Sequence, residues 1–112
     1  MKIINTTPHP VNVRSTDGGF VTIWGNEFPS RASIRTHVLG TTVIDGHPVE
    51  INRVAYGDVE GLPDPQRDTF YIVSRIVAEA CPDRVDLLVT GKAIRNGSGS
   101  VVACEGLRKI HT

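Results

Sequence analysis

Val11 and Val13 alternate with Asn12 and Arg14, the period-two pattern of a strand with one buried face. Asp17-Gly18-Gly19 then supplies turn chemistry before the apolar stretch Phe20 to Trp24, which predicts an N-terminal β-hairpin. Beyond the Gly25-Asn26 break and Pro29, Ile34, Thr36 and Val38 alternate with Arg35 and His37 and predict a strand with one polar face. Val43-Ile44, the turn Asp45-Gly46, and Val49 and Ile51 alternating with Glu50 and Asn52 predict a second hairpin.

From Tyr56 to Asp68 the chain holds two glycines and two prolines, which break either regular ladder and predict an ordered loop. Ile72, Val73, Ile76, Val77 and Ala80 recur at helical spacing, Asp68 or Thr69 can cap the start, and Pro82 stops the run. The spacing predicts a helix near residues 69–81, with Ile76 at the centre of its buried face. Leu87 to Val89 and Val101 to Cys104 read as strands separated by Gly91 to Ser100, where Asn96-Gly97-Ser98-Gly99 forms the turn. The expected fold class is α+β: a small β-rich domain of antiparallel hairpins with one principal helix.

A length of 112 residues fits one domain, 1–112, and 39% hydrophobic residues are enough for one core. Twelve basic and twelve acidic residues cancel, so the long-range positive field that holds duplex nucleic acid is not expected. The opening Met1 to Pro8 has no signal-peptide run, and no stretch approaches the ~20 apolar residues of a membrane helix, so a cytoplasmic protein without a membrane partner is expected. Cys81 and Cys104 are too few for a metal or disulfide framework and read as reduced thiols in or near the core.

Candidate chemistry changes this picture little. Gly91-Lys92 invites a phosphate-loop reading, but Asp86 stands where the first glycine of that pattern belongs and Ala93 replaces its hydroxyl residue. A hairpin turn is the favoured reading there. Ser98 lacks the Gly-x-Ser-x-Gly spacing of a hydrolase elbow, and the four histidines, 9, 37, 47 and 111, never pair at i, i+4. Acidic pairs such as Asp58/Glu60 and Asp83/Asp86 read as solvated loop carboxylates. No catalytic residue, metal or cofactor is expected.

Planar, cationic and hydrogen-bonding side chains do gather near the irregular segments: Arg53, Tyr56, Arg67, Tyr71, Arg75, Arg84, Lys92, Arg95 and Asn96. A nucleotide-like ligand takes arginines for phosphate, an aromatic face for a base, and Asn or Asp for hydroxyls and base edges. Ordinary structural roles are also open to them, including an Arg75–Glu79 helix pair and a Tyr71 packed with its hydroxyl at the surface.

The segments Ile4 to Val11, Ile44 to Val49, Tyr56 to Gln66, Tyr71 to Ser74 and Arg84 to Asp86 resemble those of a family of short proteins encoded by tailed phages and prophages. The resemblance covers nearly the whole chain, and its motifs carry no known chemistry. Small β-rich phage proteins of this kind include ones that sequester nucleotide immune signals of the host, such as cyclic oligonucleotides and ADP-ribose derivatives. The resemblance therefore implies a non-catalytic sponge in the infected cell's cytoplasm, and a homo-oligomer is expected because a small domain gains a deep pocket most easily by sharing walls across a symmetric interface. Its ligand-binding residues would be Thr7, His9, Arg53, Tyr56, Tyr71, Arg75, Arg84, Asp86, Arg95 and Asn96. The pocket is expected between the loop after Tyr56, the helix start and the Arg84 to Asn96 region, and replacing Arg84 or Arg95 is expected to cost affinity and not stability. Two alternatives stand beside it: a virion or packaging accessory protein working through protein contacts, and a phosphodiesterase that cleaves the same signals.

Overall fold

A computed structural model describes residues 1–111. Eight strands and one short helix follow in the order β1 (Lys2–Asn5), β2 (Val11–Arg14), β3 (Phe20–Ile23), β4 (Arg31–Ile44), β5 (His47–Glu60), β6 (Thr69–Ile72), α1 (Arg75–Ala80), β7 (Leu87–Arg95) and β8 (Val101–Lys109). Six strands form a mixed sheet in the order β1-β6-β7-β8-β2-β3, while β4 and β5 pair only with each other. The three hairpins β2–β3, β4–β5 and β7–β8 are antiparallel. They are stitched together by parallel pairs the sequence did not foretell: β1 with β6, β6 with β7, and β2 with β8.

The sheet curls until its two edge strands nearly meet. Asn5, at the end of β1, sends its side-chain Nδ2 to the Ile23 carbonyl at the end of β3 (3.0 Å) and to the His9 carbonyl (2.8 Å). Its Oδ1 accepts from the backbone N–H of Thr7 at 2.9 Å and from the Thr7 hydroxyl at 2.6 Å. One buried amide thus joins the two ends of a six-stranded, barrel-like sheet.

β6 explains how the core is divided. Successive strand residues point to opposite faces, and Tyr71 and Ile72 are both fully buried. Ile72 packs inside the curl with Val11 and Cys104, flanked by Ile3, Val13, Ile23, Leu88 and Leu107. Tyr71 packs on the other side with Val73, Val77, Ala78, Leu87 and Val89, where Ala32 and Val59 at the base of β4–β5 complete the cluster. Cys104 is buried, Cys81 half-buried, and both are free.

This corrects the expected helix over 69–81. A parallel strand buried on both faces is apolar without alternation, so Phe70-Tyr71-Ile72-Val73 reads as the first turn of a helix. Thr69 to Ile72 is instead strand, paired with β1 and β7. The helix keeps only Arg75–Ala80, capped by Ser74, whose hydroxyl accepts from the Val77 N–H at 3.3 Å, and not by Asp68 or Thr69. Val77 is 1% exposed but Ile76 is 40% exposed, so Ile76 is not the centre of the buried face. Asp68 sits at φ 53 and gives its carbonyl to the Lys2 N–H at 2.8 Å.

Two further boundaries move. Tyr56 to Glu60, expected in a loop, belongs to β5, because Gly57 lies against Ser33 where a Cβ would run into the serine side chain. The loop begins at Gly61, at φ 76 and against the Pro29 carbonyl. Gly91, expected in a turn, lies inside β7, where a Cβ would collide with the Glu105 carbonyl oxygen. Glycine is present there for close strand approach and not for an anion.

β4 and β5 form an arm. Each has 14 residues, about 46 Å of strand, and the turn between them places Asp45 at φ 50 and Gly46 at φ 82. The expected strand around Ile34–Val38 and the hairpin strand at Val43-Ile44 are one element, with an irregularity between Val38 and Gly40. The radius of gyration is 17.4 Å, against about 13 Å for a rounded domain of this length.

Candidate functional site

The ten nominated residues fall into separate places. Arg84 and Asp86 form a closed pair: Arg84 Nε donates to Asp86 Oδ1 and Nη2 to Oδ2, both at 2.8 Å, and the same Nη2 donates to the Pro63 carbonyl at 2.9 Å. The guanidinium lies 5.9 Å from the Tyr71 ring centroid, and the Tyr71 hydroxyl donates to the Asp64 carbonyl at 3.2 Å rather than reaching the surface. Hydrogen bonding from Arg84 holds the Asp86 carboxyl below its ordinary value against the opposing effect of burial. Burial pushes the neighbouring Cys81 thiol up, away from reactive thiolate. These groups pin the loop after Gly61 to the core through hydrogen bonds made within the chain itself.

Tyr56 and Arg75 meet through Glu79. The Tyr56 hydroxyl donates to Glu79 Oε2, and Arg75 Nε donates to Glu79 Oε1 at 3.0 Å. These hydrogen bonds raise the Tyr56 pKa and lower that of Glu79. They fasten the base of the arm to α1. Arg95 donates to the Gly99 carbonyl at 2.8 Å, and the Asn96 side chain accepts from the N–H groups of Ser98 and Ser100, so both build the β7–β8 turn. Nine-residue β7 separates them from Arg84 and Asp86 by about 26 Å of strand. Thr7 is engaged by Asn5 and by the His9 carbonyl, and His9 is exposed. The expected pocket between Tyr56, Arg84 and Asn96 is therefore not assembled within one chain.

Arg53 stands apart, in the middle of the arm. Residues directly opposite in an antiparallel pair share a face, and Arg53 lies opposite His37 while Arg35 lies opposite Ala55. Arg35, His37 and Arg53 consequently occupy one face, and Tyr56, opposite Ile34, occupies the other. Among the described residues these three make no ion pair; the three ion pairs present are Met1 with Asp68, Arg75 with Glu79, and Arg84 with Asp86. Arg35 and Arg53, diagonal neighbours on this face, are like charges that repel each other unless an anion lies between them. Sequence reasoning passed over Arg35 and His37, though their i, i+2 spacing on a strand was the available signal.

The surface concavities are shallow. One of about 330 Å³ lies beside the arm base and is lined by Arg31, Ser33, Asp58 and Glu60, with net acidic walls. Another of about 210 Å³ runs over β2, β7 and β8 and has no charged side chain. Both sit at or below the small end of ligand pockets. Among the described residues no three metal-ligating side chains converge. Comparison with protein-family models, curated proteins and solved structures gives no match.

Proposed function

We propose that the protein is a non-catalytic binder of a small anionic ligand of the nucleotide type, held on the basic face of the arm. The observation that carries this reading is the group Arg35, His37 and Arg53, in register on one exposed face with no carboxylate partner. Arginine forks suit phosphate oxygens, and an exposed imidazole adds a donor and a planar surface. The resemblance to short phage proteins supports a nucleotide-derived host signal as the ligand and sequestration as the purpose.

The test is a thermal-shift screen of cyclic dinucleotides, cyclic trinucleotides and ADP-ribose derivatives, followed by titration of variants. Arg35→Ala and Arg53→Ala are expected to lose about ten- to a hundredfold in affinity, the loss of a charge-assisted contact worth ~1.5–3 kcal/mol. Arg95→Ala, whose side chain serves a turn, is expected to bind as the parent does. No shift with any nucleotide, or unchanged binding by both arm variants, overturns the assignment. The exposed apolar residues of the arm favour a second reading, an accessory protein that acts through protein contacts.

A further inference from the structure

We infer that the arm is received by a second copy of this chain, whose exposed aromatic segment Phe20 to Phe28 covers the arm's unpartnered apolar face. The register puts Ala32, Ile34, Thr36 and Val38 of β4 on the same face as Val59, Tyr56, Val54 and Asn52 of β5. At the base this face belongs to the core, since Ala32 and Val59 pack against the cluster of Tyr71, Val73 and Val77. Farther out the same face carries Ile34, Val54, Val38 and Val43, all exposed, interspersed with Thr36, Asn52, Thr41 and Glu50, and α1 is the main element of its own chain in contact with β4 and β5. A core face that runs on past the body it packs against is the geometry of an element exchanged between subunits.

The chain also displays the matching surface. Phe20 on the edge strand β3, Trp24 just beyond it and Phe28 in the link to the arm are 63%, 76% and 81% exposed, half of the six aromatic residues within one nine-residue stretch. Such side chains cover ~150–250 Å² each when buried, roughly 500 Å² for three. From Ile34 to Val43 the arm runs for about 33 Å and is ~10 Å wide, a mixed apolar and polar face of roughly 330 Å². In a reciprocal exchange each subunit buries one arm face and one aromatic surface, which together reach the ~800 Å² per partner of a standard interface. The basic face with Arg35, His37 and Arg53 points the other way and stays open, so this assembly stands whether or not a nucleotide binds there.

Trp24 is the only tryptophan, so its fluorescence reports the contact directly. The experiment measures solution mass by light scattering and Trp24 emission with acrylamide quenching, on the wild type and on Val38→Glu and Val43→Glu. Both substitutions fall at exposed arm positions, and far-UV circular dichroism checks that the fold is kept. The wild type is expected at twice the monomer mass with blue-shifted, quencher-protected emission. The variants are expected at monomer mass with red-shifted, accessible emission and an unchanged spectrum. A monomeric wild type at micromolar concentration overturns the inference. So does an assembly that survives both substitutions, or one in which Trp24 stays as accessible as in the variants.

Discussion

The side-chain amide of Asn5 donates to the carbonyl of Ile23 at 3.0 Å, closing the gap between the first strand and the last strand of the sheet order. The residue is 3% exposed and its amide makes four hydrogen bonds, while the His9 carbonyl also accepts from the Thr7 hydroxyl at 3.0 Å. Asn5→Ala is expected to destabilise the domain by about 2–4 kcal/mol, since it strands polar groups that cost ~1–3 kcal/mol each when left unpaired. Asn5→Asp is expected to do at least as much harm at neutral pH, because it turns an acceptor toward two carbonyls. Urea unfolding of the two variants checks this. Thr7→Val is expected to cost less, as it removes only the hydroxyl.

This latch is where the structure places the polar residues of the opening motif, two of which, Thr7 and His9, were expected to bind ligand. Asn5, Thr7 and the backbone of His9 are polar and lie in or beside a loop, which in sequence looks like binding chemistry. Three of the four Asn5 bonds are local, to Thr7 and His9, and only the Ile23 carbonyl is brought in by the curl of the sheet. Local signals fared better: the Asp45-Gly46 and Asp17-Gly18-Gly19 turns and the Asn96 to Ser100 turn fall where turn chemistry put them. The parallel pairings did not, because no short-range pattern encodes which strands lie side by side across 60 residues. Arg84 and Asp86 were expected to bind ligand, and the structure pairs them with each other. Their neighbours Pro63 and Asp64 come from a distant loop that only the tertiary fold supplies.

Arg84→Ala is expected to cost about 2–3 kcal/mol of stability, because it leaves Asp86 half-buried without its fork and frees the Pro63 loop. For a domain of this size that lowers the melting temperature by roughly 10 °C or more. A melt within 2 °C of the wild type would contradict the structural role, using the ~4–8 °C per kcal/mol expected for small domains.

The same pair sets an acid-side dependence. The folded Asp86 pKa lies below the unfolded value of about 3.9, so its stabilising contribution is present above that value and is lost as the pH falls through the folded one. Wild type and Asp86→Asn are expected to differ most in stability between about pH 5 and 8 and to converge in stronger acid. Chemical denaturation at a series of pH values reads the difference. A gap that stays constant down to about pH 2 would show that the Asp86 charge is not what the pair uses.

The helix offers a paired test at adjacent residues. Ile76→Asp is expected to change stability by less than about 1 kcal/mol, because the side chain is exposed. Val77→Asp is expected to unfold the domain or cost several kcal/mol, because it buries an unpaired carboxylate in the cluster around Tyr71. Thermal melts followed by circular dichroism distinguish the two, and equal effects would mean that α1 is rotated from the face described.

We propose that the arm's basic face holds a small anion and leaves it chemically intact. The direct measurement is mass spectrometry of the small molecules released by denaturing protein purified from cells with active nucleotide signalling, run in parallel on an Arg35→Ala/Arg53→Ala double variant. An intact phosphate-bearing nucleotide is expected from the wild type, strongly depleted from the double variant. A cleaved product would make the protein an enzyme, and no retained nucleotide, or equal amounts from both proteins, would contradict the assignment of Arg35, His37 and Arg53.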